Sequence, residues 1–369
     1  MRLALRELIR RPGRFVTATV ILTLIAILLM FLGGLLDGLT RSATGAVRAQ
    51  NADALVFSSS SQASFLRSRI EPEVRSTIET DLGVETGGLG VAQLGARVPG
   101  NGPRDLANVA VWGYEIAPDG VPEPPPPGEA WADEVLKADG VEVGQELLVG
   151  PARTPITVAG FVVDTSFNGQ AGLWTDVATW RNVLNTNRPD AALADGVFQA
   201  LVVRDVDDEL DDVPAAIEDA VGDQVIALTV DEAVNEIPGV TEQQGTFNQI
   251  LGVTVVIALV VIALFFALLT VERTALYGVL KAIGARSRTI FGGLVAQAVA
   301  VTLVASVIAG LAVALLDLAI PPGSIPLFIS PGRIASSIVL LLFAAILGCA
   351  FSLRRVLHID PASALGSSQ

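Results

Sequence analysis

Apolar residues are not spread along this 369-residue chain but bunched into four long runs, 15–36, 250–271, 289–316 and 334–353. The shortest of them has 20 residues. At about 1.5 Å of rise per residue that covers about 30 Å, the thickness of a hydrocarbon core. The pattern predicts four transmembrane helices. Between the first two runs the pattern changes. Alternation and β-branched content predict strands at 84–98, 106–114, 198–203 and 224–228, and a pair at 145–149 and 156–163 around Gly150-Pro151. Helical spacing predicts helices at 67–82, 130–136, 173–184, 214–221 and 230–237. The tract 122–127 reads as a stiff surface connector. The expected fold class is therefore membrane α-helical with four transmembrane helices, plus an extracytoplasmic α+β domain, of one or two subdomains, between helices 1 and 2.

A third pattern occupies 272–288, a short polar and amphipathic island between the second and third runs. Read as a helix, it places Leu276, Val279, Leu280 and Ile283 on one face, and Arg273, Tyr277 and Lys281 at four-residue steps on another. Gly284 stands where a helix takes its C-terminal glycine, and Ser287 where the next takes its N-cap. Ahead of the first run, 1–14 forms an arginine-bearing amphipathic lead that turns at Pro12-Gly13. Gly34 and Gly38 have the spacing that lets helices approach closely.

Composition agrees with the pattern: 51% of residues are hydrophobic and the mean hydropathy is +0.57. The first run is about twice the length of a signal-peptide core and reads as an uncleaved span. Charge sets the orientation. Residues 39–248 hold 33 acidic and 12 basic residues, and the rest of the chain 5 and 12. The basic residues outside the loop cluster in 2–14, 273–288 and 354–355. The positive-inside rule places these clusters, and both termini, in the cytoplasm. The expected layout is a lead (1–14), helix 1 (15–38), an extracytoplasmic domain (39–248), helix 2 (249–271), a cytoplasmic segment (272–288), helix 3 (289–316), an outer loop (317–333), helix 4 (334–353) and a cytoplasmic tail (354–369). Arg333 is expected to reach the headgroups from the outer end of helix 4. The single cysteine, Cys349, reads as a packing residue, so the loop domain holds together without disulfides.

Catalytic constellations are missing. The sequence has no G-x-x-x-x-G-K-[ST], no strand–G-x-G-x-x-G–helix and no H-E-x-x-H, and its one histidine, His358, lies in the tail. The chain is not expected to be an enzyme, nor to bind a metal, a cofactor or nucleic acid. The acid run 205–212 lacks the glycine and terminal glutamate of a calcium loop. Asp37 and Asp317, at the outer ends of helices 1 and 3, are membrane-interface candidates, marking the water boundary or lining a path to the domain.

The island E-R-x-x-x-x-G-x-L-K-A-I-G-A, carried by Glu272, Arg273, Gly278, Leu280, Lys281, Ala282, Ile283, Gly284 and Ala285, resembles the cytoplasmic segment of MacB/FtsX-like ABC transporter permeases. The ends L-A-L-R-E-L-I-R-R (3–11) and D-P-A-S-A-L (360–365) are similar too, as is the order of one span, a large domain and three spans. Val56-Phe57-Ser58, Ser64-Phe65, the segment 174–180 and the entry Phe265-Phe266…Thr270-Val271-Glu272-Arg273 resemble the DevC/HrtB branch, which often has Gln where this chain has Glu272. The resemblance implies a mechanotransmitting exporter permease that pairs with a second copy of itself. Each copy would dock a separate ABC ATPase subunit, which holds the ATP and Mg. The island would be the ATPase-coupling helix, with Glu272, Arg273, Leu276, Tyr277, Val279, Leu280, Lys281, Ile283 and Gly284 as its working residues. The substrate would be hydrophobic or amphipathic, such as lipid, haem, peptide or a drug-like molecule, with membrane lipids around the spans. Met30, Tyr114 and Tyr277 are almost the only side chains with ordinary haem-ligand chemistry.

Two other readings stay open at this level. An FtsX-like signalling subunit would use ATPase-driven motion to regulate an extracytoplasmic partner protein without transport. A membrane-anchored binding protein would need no ATPase at all.

Overall fold

Helix α1 (Gly13–Arg48) carries the first apolar run and continues past the expected boundary at residue 38. It stops where Asn51 adopts a left-handed φ of 43° and the carbonyl of Ala49 takes the Asp119 N–H at 2.7 Å. The computed structural model describes residues 13–102, 104–204, 212–272, 279, 283, 287–320 and 325–357. These fall into two compact units, one built on 38–244 and the other on the apolar helices.

Among its described residues the 38–244 unit contains nine strands. Six form a closed ring: β2 (Glu85–Arg97), β3 (Leu106–Tyr114), β4 (Glu129–Asp133), β5 (Glu146–Val149), β6 (Thr154–Val162) and β7 (Ala171–Thr175). The ring runs β3-β7-β4-β6-β5-β2 and closes because β2 pairs antiparallel with β3 from Leu89↔Tyr114 to Arg97↔Leu106. Closure leaves these strands no free edge. The first half of β2 also pairs with β8 (Ala200–Arg204), which pairs with β1 (Ala54–Ser58), and β1 with β9 (Val225–Leu228). A small barrel and a four-stranded sheet thus share one long strand. The expected α+β class takes this form.

Alternation fixes the two faces of the sheet. Ala54 and Val56 pack with Ile78 of α2 (Pro72–Leu82) and Ile217 of α4 (Val213–Val221). Leu55 and Phe57 face the other way, toward Ala46 and Val47 of α1 and Ala233 and Val234 of α5 (Val230–Asn235). This second core holds an aromatic cluster. Phe65 meets Phe57, Trp112 and Phe167 edge-on, and Trp112 stacks on Trp174 with centroids 5.2 Å apart. On the barrel, Trp180 of α3 (Val177–Asn187) lies in a trough made by Gly90 and Gly113. A Cβ at Gly90 would fall 1.9 Å from the Trp180 ring.

Several local expectations need correction. The helix expected at 67–82 starts only at Pro72, which lacks an N–H and suits the first helical position. Ahead of it, Ile70 exchanges backbone hydrogen bonds with Phe198. The helix expected at 130–136 is strand β4 followed by a 3₁₀ turn, Glu134–Asp139. Ala130 and Ala132 fill the core between β6 and β7, so pairing overrides alanine's helical preference. The helix expected at 173–184 is β7 and then α3, broken at Asp176, whose carboxylate accepts from the N–H groups of Ala178 and Thr179. Strand β1 lies outside every expected element. The acid run lies outside the described residues except for Asp212, which caps α4 by accepting from the Ala215 N–H.

In the other unit, α6 (Val240–Glu272), α7 (Ser287–Ala319) and α8 (Pro331–Leu357) join the N-terminal part of α1. Each of the four helices is long and apolar enough to cross a membrane. Their shared core is rich in small residues, including Ala26, Ala258, Ala298, Ala305, Ala309, Ala344, Ala345 and Cys349, which let helices pack closely. Leu24, Leu264, Leu311 and Phe343 point outward, as lipid-facing residues do.

Candidate functional site

The island between α6 and α7 is the segment the sequence singles out. Glu272 is the last residue of α6 and is exposed. Val279 and Ile283 are one turn apart: the Ile283 N–H donates to the Val279 carbonyl at 3.0 Å, the i→i−4 bond of an α-helix. Both side chains are open to their surroundings, Val279 by 52% and Ile283 by 75%. The two apolar residues therefore share one uncovered face. Arg273, Leu276, Tyr277, Leu280, Lys281 and Gly284 lie outside the described residues. Helix α7 begins at Ser287 itself, the residue the sequence offers as its N-cap.

The interface candidates part ways. Asp317 is exposed in the last turn of α7. Asp37 is paired: Arg333 Nε donates to Asp37 Oδ2 at 2.9 Å and its Nη2 to Oδ1. Arg333 was expected to reach headgroups, but its guanidinium is held by a carboxylate in the bidentate geometry suited to it. Gly34 supports the same corner, since its carbonyl accepts from the Phe328 N–H at 3.0 Å. The close approach at this glycine is to the strap before α8, not to another helix. Removing one partner leaves a charge at the edge of the bundle, so Asp37→Asn and Arg333→Gln should each destabilise the chain. A double-mutant cycle by thermal unfolding should return a coupling of about 1–3 kcal/mol, whereas additive effects would show the pair to be unimportant.

Two of the haem-ligand candidates have other engagements, and Tyr277 lies outside the described residues. Met30 is buried in the helical core, and the Tyr114 hydroxyl donates to the Pro122 carbonyl at 2.7 Å. No group of three or more His, Cys, Asp or Glu side chains is arranged for a metal among the described residues. A shallow groove of about 560 Å³ is lined by Gln62, Arg67, Ile226, Leu228, Glu236 and Pro238.

One organised polar site escaped the sequence reading. Asp133, buried at the end of β4, accepts at Oδ2 from the Thr165 N–H (3.1 Å), the Thr165 hydroxyl (3.1 Å) and the Ser166 hydroxyl (2.9 Å). Its Oδ1 accepts from the Val135 N–H at 3.1 Å. Asp133→Ala would leave these donors buried without their acceptor, at a cost of about 2–4 kcal/mol. Burial raises the carboxyl pKa, outweighing the hydrogen bonds that lower it. A folded value above the unfolded one means that protonation favours the folded state. That contribution is complete below the ordinary carboxylate range and is lost as pH rises through the raised value. The stability difference between wild type and Asp133→Ala, followed by urea unfolding across pH, should therefore shrink as pH rises through that interval. A difference that grows instead would contradict the assignment.

Four helices long and apolar enough to cross a membrane, with an α+β domain between the first and second along the chain, fit a multi-pass membrane protein. Residues 248–361 match the family model described as FtsX-like permease C-terminal, which takes in α6, the island, α7 and α8. Curated relatives from Staphylococcus haemolyticus (strain JCSC1435) and Staphylococcus epidermidis (strain ATCC 35984) are named, provisionally, as the hemin transport system permease protein HrtB. Each is 29% identical over 114 residues, 31% of this chain and 32% of the relative. The match thus spans about a third of the relatives' length. The C-terminal third of the chain is thus similar to FtsX-like permeases, and the resemblance to MacB/FtsX-like ABC permeases, on the HrtB side, is borne out.

Proposed function

We propose that the chain is the permease subunit of an ABC exporter of the mechanotransmission type. Two copies pair, and each docks a separate ATPase through the 272–288 segment. The observation that carries this reading is the uncovered Val279–Ile283 turn, set between two spans inside the matched permease domain. Two exposed apolar side chains one helical turn apart suit a groove on a partner protein. The cluster Arg273, Lys281, Arg286 and Arg288 supports a cytoplasmic position for it, where an ATPase would be found. The acidic domain then lies on the outer side, and ATP and Mg are held by the partner.

The substrate we propose is a hydrophobic or amphipathic molecule handled beside the spans. Among the described residues the bundle buries no charged side chain, which makes a poor path for ions, although Thr254, Thr270, Gln297, Thr302, Ser306 and Ser337 are buried beside its apolar cluster. The relatives' name makes hemin the first probe. The test is the chain reconstituted in vesicles with the Walker-type ATPase that co-purifies with it, challenged with hemin and with a fluorescent phospholipid analogue. ATP-dependent movement of either supports export. ATP hydrolysis that moves neither, and answers only to a second protein, would replace export by the signalling reading.

A further inference from the structure

We infer that the loop 164–169, between β6 and β7, is a clasp that fixes the end of α1 to the domain so that the two move as one body. The contacts are of three independent kinds, and all lie within the 38–244 unit.

The first kind is backbone to backbone. The Ala46 N–H donates to the Ser166 carbonyl, the Asn168 N–H to the Ala43 carbonyl and the Gly169 N–H to the Ser42 carbonyl, each at 3.0 Å. Backbone groups inside a helix ordinarily serve their own i→i−4 ladder. Bonds from outside at 42, 43 and 46 lay the loop directly on the helix backbone. Gly45 makes room for it, since a Cβ there would meet the Asp164 carbonyl oxygen at 2.6 Å.

The second kind is ionic. Asp164 takes Arg41 Nη1 at 3.2 Å on one oxygen and Arg48 Nη2 at 2.8 Å on the other. Arg41 and Arg48 are seven apart, two turns along one face, so a single carboxylate spans that face. Each pair is partly open to water and would be weak alone. Here they flank the backbone bonds and fix their register.

The third kind holds the loop itself. Asp133 gathers Thr165 and Ser166 from below, and Asp164 and Asn168 adopt left-handed φ values of 57° and 50°. Asp and Asn are the non-glycine residues that tolerate this region best, so both suit the tight turns of the loop. The sequence of contacts runs from β4 through the loop to the helix backbone. Asp164, Gly45 and Asp133 are positioning residues in this device.

The transmitting role rests on the permease reading: a push or turn on α1 reaches the barrel through the clasp. The test is hydrogen exchange by mass spectrometry on the full chain in detergent micelles, comparing wild type with Asp164→Asn and Gly45→Val. Amides of 42–48 and 166–169 should exchange about tenfold faster, together, in each variant, while those of β8 and β1 keep their protection. If Gly45→Val does not fold, Asp164→Asn and the double change Arg41→Gln/Arg48→Gln carry the same comparison. Faster exchange in the loop with unchanged protection at 42–48, or no change in either, overturns the clasp. With the ATPase bound, Asp164→Asn should keep ATP hydrolysis within about twofold and lose most of the ATP-dependent change in exchange at 85–115. If the wild-type chain binds no ATPase, the permease reading fails, and the first comparison still decides the clasp.

Discussion

Ile283→Asp is expected to release the ATPase while the chain still inserts and folds. The residue is 75% exposed and shares its face with Val279, so nothing in the chain's own described core depends on it. In a docked complex that face would be buried. Losing a buried isoleucine forfeits about 1.5–3 kcal/mol, and a carboxylate forced into the same groove adds the cost of its desolvation. A total of about 3–4 kcal/mol weakens association by several hundredfold. The measurement is co-purification from detergent-solubilised membranes, with ATP hydrolysis assayed in the same fractions. Leu280→Asp, on the same predicted face, should behave alike, and Ile283→Leu should be close to wild type. Retained association in both aspartate variants would favour a connector with no partner.

Trp112→Ala has the largest expected effect on the domain. Trp112 is fully buried on β3, stacks on Trp174 and meets Phe65 and Phe167 edge-on. Truncation opens a cavity in a cluster that closes in from three segments of chain, β1 with its following loop, the β6–β7 loop and β7. The expected loss is about 3–5 kcal/mol, read as a lower midpoint in urea with an unchanged slope. Trp112→Phe keeps most of the packing and should lose less than half as much. Because Phe167 belongs both to this cluster and to the clasp loop, the alanine variant should also speed exchange at 166–169. A loss below about 1 kcal/mol would show that the cluster repacks.

The membrane half was legible because its signals are long. Runs of 20 or more apolar residues have one common reading, and the glutamate, glycines and cations of 272–288 occur at fixed spacings within a short stretch. The strands expected at 106–114 and 224–228 are legible from alternation and β-branched content. The failures come from short segments whose partners are distant in sequence. Ala130 and Ala132 favour a helix locally, yet β4 is held by β6 on one side and by β7 on the other. Ring closure depends on Leu89 meeting Tyr114 while Ala96 meets Val149, pairings no local pattern announces. The Asp37–Arg333 pair joins residues 296 positions apart, and Asp133 reaches Thr165 across 32. Buried polar partners of this kind leave no periodic trace. The extension of α1 to Arg48 was hidden for another reason. The apolar run ends at Leu36 and the expected span at residue 38, but the end of the apolar run is not the end of the helix.

The central claim is that the 272–288 segment grips an ATPase, and cross-linking tests it most directly. A cysteine at Ile283 would be the one readily reactive thiol, since the native Cys349 is buried in the helical core. A heterobifunctional reagent applied to native membranes should join Ile283→Cys to a protein whose peptides include a Walker A sequence. The same reagent at Val143→Cys, an exposed position in the domain, should not. Val143→Cys cross-linked to that ATPase, or Ile283→Cys joined to none while the chain remains inserted, would contradict the account.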